Sequence, residues 1–285
     1  MTNKTFIPSA LALAATLVLC GQASAHIAIS NVTLPISAAG QATYGIANTS
    51  SEILLNVPHG CTSAESQPSY SGPNLDTTKI EVTVPAAIVA ATTVASLRPT
   101  MDGLFGTVQV GSPDANGNVK LSWTRKLSAI GEANATTSDN QLYKISLRLK
   151  FPAVASATDF SIKKYQFLTV QTCKSNGVDY VMDWGTANSP SVIVFPDRRK
   201  GFNKFTLDAS TVGDFTTTGT NTLASKLKSY FGDAAIVWVS KAGYSANPNT
   251  AAKITALAAK DTAYSDLGAK AGGVITATDT IWVKY

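Results

Sequence analysis

The sequence predicts an all-β sandwich or barrel followed by a smaller α/β module, and three observations predict it. Between residues 27 and 196, short alternating or β-branched runs recur ten times. The gaps between them carry turn chemistry such as Ala39-Gly40, Asp102-Gly103, Asn116-Gly117 and Asn176-Gly177. After Arg198-Arg199-Lys200-Gly201 the texture changes, and apolar residues begin to recur at helical spacing.

The runs that read as strands are 27–34, 41–47, 53–57, 79–84, 106–110, 118–125, 142–151, 164–171, 180–184 and 191–195. The two Asn-Gly dipeptides are hairpin signals, because Asn and Gly accept the positive φ that a two-residue turn requires. Residues 62–76, holding Pro68, Gly72 and Pro73, read as a long irregular loop, and 128–140 as a second. Loops of that length usually carry function or flexibility. Beyond residue 200, Leu223, Leu227, Tyr230 and Phe231 mark a helix, and 234–240 is strand-like. Asn247-Pro248 supplies an N-cap and a first helical residue, and an Ala-rich helix is expected over 250–270, stopping at Gly272-Gly273. The run 280–285 closes the chain as a strand. The Arg198-Arg199-Lys200 triplet between the two regions reads as a solvated linker, giving expected units at 26–199 and 200–285.

The chain has 285 residues, of which 14% are charged, and a net charge of +5 that includes no basic run longer than that triplet. This excludes a disordered charged tail, a coiled coil and a charge-driven nucleic-acid binder. Residues 1–25 read as a secretory leader. Lys4 gives the positive start, Phe6 to Leu19 the apolar stretch, and Ala23-Ser24-Ala25 the cleavage site. Leu19 is too bulky for the lipoprotein pattern that Cys20 would otherwise suggest. The mature protein is therefore expected in the periplasm or secreted, cleaved after Ala25. Cleavage leaves Cys61 and Cys173, and an even pair in an oxidising compartment is most simply one disulfide. A Cys-ligated metal is the weaker reading, since there is no CxxC and a thiolate would have to survive outside the cytoplasm.

Histidine occurs only twice, at His26 and His59. Cleavage makes His26 the first residue, so its α-amine and its imidazole Nδ1 can close one chelate ring on the same ion. The amine titrates near ~7.7–8.0 and gives up its proton to a metal at modest cost. Two nitrogens in a fixed bite suit Cu(II), which prefers tetragonal N/O sites.

Five segments then follow in a recognisable order. They are His26-Ile27 behind the leader, Val57-Pro58-His59-Gly60-Cys61, and Thr77-Thr78-Lys79-Ile80-Glu81-Val82-Thr83-Val84-Pro85. Leu168-Thr169-Val170-Gln171-Thr172-Cys173 and Val181-Met182-Asp183-Trp184 complete the set. Together they resemble the YcnI-like family of exported bacterial copper-binding domains, over residues 27 to about 196. The resemblance implies an immunoglobulin-like β-sandwich that holds Cu(II) through the N-terminal His26, with Trp184 covering the site and Asp183 as an oxygen ligand. His59 or Glu65 would fill the place of an acidic loop residue found in some members. Cys61 and Cys173 match the segments that would form the disulfide. This chain departs from the family in three places. Its loop after Cys61 is longer, Gly103-Leu104-Phe105 follows Arg98-Pro99 where Gly-Trp is usual, and Leu142-Tyr143-Lys144-Ile145 replaces Tyr-Asp-Glu-Phe.

The expected function is copper trafficking or storage, without catalysis. The expected partners are the copper ion and another periplasmic copper chaperone or a membrane copper transporter, with no nucleic acid. Two rivals stand beside it. A lytic polysaccharide monooxygenase also pairs an N-terminal His with a second His on a β-sandwich, and a Thr/Asn-rich surface or assembly protein would need no metal.

Overall fold

The computed structural model describes residues 27–33, 41–42, 44–57, 59–72, 74–100, 105–106, 108–125, 143–215, 223–268 and 275–285. Up to residue 195, chain order gives β1 (Ala28–Thr33), β2 (Gln41–Ala42), β3 (Tyr44–Ile46), β4 (Ser50–Val57), β5 (Thr77–Val84) and α1 (Ala86–Thr92). There follow β6 (Arg98–Pro99), β7 (Gln109–Val110), β8 (Val119–Thr124), β9 (Tyr143–Lys150), β10 (Ser161–Gln166), β11 (Leu168–Ser175), β12 (Val178–Asp183), α2 (Gly185–Asn188) and β13 (Ser191–Phe195). The remainder holds β14 (Phe202–Leu207), α3 (Leu223–Phe231), β15 (Ile236–Val239), β16 (Ala242–Tyr244), α4 (Pro248–Lys260), β17 (Ser265–Asp266) and β18 (Ile281–Lys284).

The chain is mostly β, in several sheets. Two five-stranded sheets, ordered β2-β1-β4-β9-β6 and β12-β11-β5-β8-β7, share one core. Strand geometry explains why: successive side chains point to opposite faces, so every second residue can be apolar and buried. In β4 these are Ile53, Leu55 and Val57, in β5 Ile80, Val82 and Val84, and in β8 Val119, Leu121 and Trp123. The Asn-Gly turn joining β11 to β12 forms as expected. Asn176 and Gly177 both take positive φ, between the paired residues Ser175 and Val178.

A third sheet of eight strands runs β17-β16-β15-β18-β14-β10-β13-β3. It contains strands from both sides of residue 200, joined where β14 pairs parallel with β10. Its core likewise mixes Ile162 and Phe195 with Phe205, Leu227, Phe231 and Ile281. Arg198 is not a solvated linker residue. Its side chain is 6% exposed, with the guanidinium 3.9 Å from the Tyr44 ring centroid, 3.8 Å from that of Tyr285, and ion-paired to Asp233.

Several expected elements change on folding. The run expected as one strand at 164–171 is divided between two sheets at Phe167. This residue is fully buried, and its N–H donates to the Pro190 carbonyl at 2.8 Å. The run 41–47 is likewise divided, with β2 on β1 and β3 parallel to β13. The Ala-rich helix ends at Lys260, ten residues before its expected end. The Asp261 side chain accepts from the Ala263 N–H at 2.9 Å, and the following residues pair with β16 and bury Leu267. Helix α1 is unforeseen from the sequence. It buries Ile88, Val89 and Thr92, and Thr92 Oγ1 donates to the β9 carbonyl of Lys150 at 3.0 Å. The expected loop 128–140 lies outside the described residues.

Candidate functional site

The segment that leaves β4 is fixed from three sides. Ala28 pairs with Asn56, so the chain enters the first sheet at the buried Ile27, beside the β4 end that leads into His59. Gly60 lies against the far side of its own loop. A Cβ there would come within 1.7 Å of the Leu75 carbonyl oxygen, so only glycine fits. Cys61 exchanges both backbone hydrogen bonds with Leu75, at 2.8 and 3.0 Å, and Tyr70 donates its hydroxyl proton to the Cys61 carbonyl at 2.5 Å. The Cys61–Cys173 disulfide ties this turn to β11 across a Cα–Cα distance of 5.9 Å, and both cysteines are fully buried.

The loop 62–76 is therefore ordered by its neighbours. Gln67 and Val181 exchange backbone hydrogen bonds at 2.8 and 2.9 Å, and the Tyr70 and Tyr180 rings meet edge to face at 4.9 Å. The composition of the loop shows many turn formers. Its partners are far away in sequence, which is why it reads as irregular.

His59 is half-buried in this turn. Its carbonyl accepts from Gln171 Nε2 at 2.7 Å, and the same nitrogen lies 2.6 Å from Thr77 Oγ1. The imidazole Nδ1 sits 2.5 Å from the Gly60 carbonyl oxygen. A carbonyl can only accept, so Nδ1 carries a proton, and Nε2 is the ring nitrogen that this contact leaves for a ligand. That is the arrangement in which a histidine is ready to ligate a metal.

The other sequence-derived candidates are placed separately. Asp183 ends β12 with its carboxylate exposed, and one oxygen accepts from the Gly185 N–H at 2.9 Å. Trp184 is 4% exposed and packs in the core of the two five-stranded sheets. Glu65 is on the surface of the loop, accepting from Thr62 Oγ1 at 2.9 Å. Among the described residues no three His, Cys, Asp or Glu side chains are grouped so as to hold a metal. His26, the main expected ligand, lies outside the described residues. Cys61 and Cys173 are spent in the disulfide and are not thiolate ligands.

Sequence reasoning missed a buried polar cluster directly behind this turn. The Asp76 carboxylate accepts from Arg125 Nη1, from the Tyr143 hydroxyl and from the Thr77 N–H. All three side chains are buried. A signal was present: Asp76 immediately precedes a strand run and Arg125 closes another, in a chain poor in charge. Pairing of β5 with β8 brings those two ends together. A comparison with family models, with curated proteins and with solved structures finds no match for this chain.

Proposed function

We propose that this is an exported copper-binding protein of the YcnI-like kind, with an immunoglobulin-like sandwich over residues 26–199, which carries or stores Cu(II) without transforming it. The α-amine and Nδ1 of His26 supply the chelate once the leader is cleaved after Ala25. The observation that carries the reading is the His59 imidazole. Its Nδ1–H is held by the Gly60 carbonyl, so Nε2 is left as a ligand atom, in a turn locked by the disulfide. The first sheet receives the chain at Ile27, one peptide unit after His26 and beside the strand that continues to His59. Asp183 and Glu65, each with one carboxylate oxygen in a local hydrogen bond, are the acidic residues offered for an oxygen ligand, although among the described residues neither is grouped with His59. The ion is cargo, received from and passed to another copper chaperone or a membrane transporter.

The test compares the chain beginning at His26 with the same chain carrying one extra residue ahead of it. Extension turns the amine into an amide and breaks the chelate. Cu(II) affinity should fall at least about tenfold, a factor that corresponds to ~1.4 kcal/mol. Equal affinity for the two forms sinks the proposal. A His59→Ala variant that leaves affinity untouched would remove His59 from the ligand set.

A further inference from the structure

The eight-stranded sheet is covered on both faces at β10 and β13, where Val192 and Val194 enter the first core, but at β14 and β18 one face is left open. Alternation sends Phe205, Leu207, Ile281 and Val283 inward, against α3. It sends Phe202, Lys204, Trp282 and Lys284 the other way. Phe202 is 65% and Trp282 47% exposed, and both lysines are exposed too. Register makes a checkerboard of the four, because Phe202 stands opposite Lys284 and Lys204 opposite Trp282. The aromatic surface continues across the next strand. Trp238 is paired with Trp282 and lies flat enough over Gly243 that a Cβ there would come within 2.8 Å of the indole. Tyr264 meets the Trp238 ring edge to face at 6.2 Å.

Cross-strand aromatic pairs stabilise a sheet on their own, and that accounts for Trp238 against Trp282. It leaves Phe202 unexplained, since its cross-strand neighbour is a lysine and most of its ring is in water. It also leaves the two ammonium groups. Among the described residues neither Lys204 nor Lys284 has a carboxylate partner. They rest over the rings of Phe160 and Phe202, at 4.9 and 5.5 Å from the centroids. Next to them opens a cavity of about 250 Å³, lined in part by Phe160, Phe202, Lys204 and Ser156, and by Asp197 and Asp159, whose carboxylates are paired with Arg199 and Lys163. Flat rings, uncompensated cations and a polar-rimmed cleft on one surface match a ligand with apolar faces, hydroxyl groups and negative charge.

We propose that this face binds an acidic polysaccharide, a chain of uronate-bearing sugars. The C–H faces of the sugar rings pack on the π-faces of Trp282 and Phe202, which are negative. Lys204 and Lys284 pair with the carboxylates, and the cleft takes a sugar with its hydroxyls toward Ser156. A nucleic acid would also stack on such rings, but its affinity comes from neutralising many phosphates. Two lysines on a chain with no long basic run offer too few cations for that. The proposal is independent of copper and of His26.

The test uses the full chain from His26, titrated calorimetrically with polygalacturonate oligomers, with neutral cellulose oligomers and with single-stranded DNA of matched length. The uronate oligomers should bind at least about tenfold more tightly than either alternative, and added salt should weaken them. Phe202→Ala with Trp282→Ala should lose about tenfold or more for the uronate chain. Lys204→Gln with Lys284→Gln should lower affinity and flatten its salt dependence. The lysine variant should melt as the parent does, and the aromatic variant, which loses the Trp238–Trp282 pair, should melt slightly lower while staying folded at the temperature of the titration. Absence of uronate binding, unchanged affinity in the lysine variant, or tighter binding of the DNA overturns the proposal.

Discussion

Asp76 shows how much a single side chain organises here. Its carboxylate is buried, faces a buried guanidinium and takes two further donors. Burying two charges is costly, and mutual attraction together with the donors to the Asp76 carboxylate offsets that cost. Removing one partner exposes the asymmetry. Arg125→Ala would strand a carboxylate in the interior, and the expected loss is about 3–5 kcal/mol of folding stability. Urea unfolding of the variant measures it, and a midpoint within error of the parent would mean that water reaches Asp76. At the same scale, the sequence made His59 legible as a turn residue beside the cysteine bridge, because Pro58, Gly60 and Cys61 are local signals. It did not make Asp76 legible. A charge at the end of one strand run acquires its meaning only when another run, with Arg125 at its end, is laid beside it.

Elements were legible in kind more than in partnership. The alternation of Ile80, Val82 and Val84 specifies a strand with one buried face, and β5 is that strand. Nothing in an alternation specifies which sheet receives it. Hence the run expected over 164–171 is cut at Phe167 into β10 and β11, whose partners are β13 and β5. The Ala-rich helix shows the complementary failure. The Ala-rich run gives way after Lys260 to Asp261, Thr262, Tyr264, Ser265 and Asp266, weak helix formers, and β17 pairs with β16 instead. The disulfide was legible because it depends on compartment and cysteine count more than on packing. It joins the turn after β4 to β11 across a sequence separation of 112 residues. Closing so long a loop in the unfolded chain is worth about 4–5 kcal/mol in the entropic account, which is an upper figure. Replacing both cysteines by serine should lower stability toward that amount, read from denaturant midpoints under non-reducing conditions. Retention of the parent midpoint would show that the hydrogen bonds of Cys61 and Gln67 hold the loop unaided.

At the scale of the molecule, the change of texture after residue 200 is real in the sequence but does not interrupt the sheet. Strand β10 is bordered by β13 on one side and β14 on the other, so residues on both sides of the change share one hydrogen-bonded surface. Arg198 adds a clasp between the rings of Tyr44 and Tyr285, residues near opposite ends of the described chain. Burial pushes the Tyr285 phenol above its ordinary range, against the lowering effect of the Arg198 charge, so the ring stays neutral beside the guanidinium. The second core depends on the same joint. Ile162 and Phe195 are fully buried, and Phe195 meets Phe205 at 5.1 Å and Phe231 at 6.0 Å between ring centroids. A chain ending at residue 199 would leave the β10 edge unpaired and turn Ile162 and Phe195 toward water. Burying each such side chain is worth about 1.5–3 kcal/mol. An open edge with apolar residues beside it is a template for association between chains. The fragment 26–199 should therefore melt well below the full chain and associate at concentrations where the full chain does not, as followed by thermal unfolding and light scattering. A monomeric fragment melting with the full chain would mean that the two regions fold independently, and that β14 docks on a strand already stable without it.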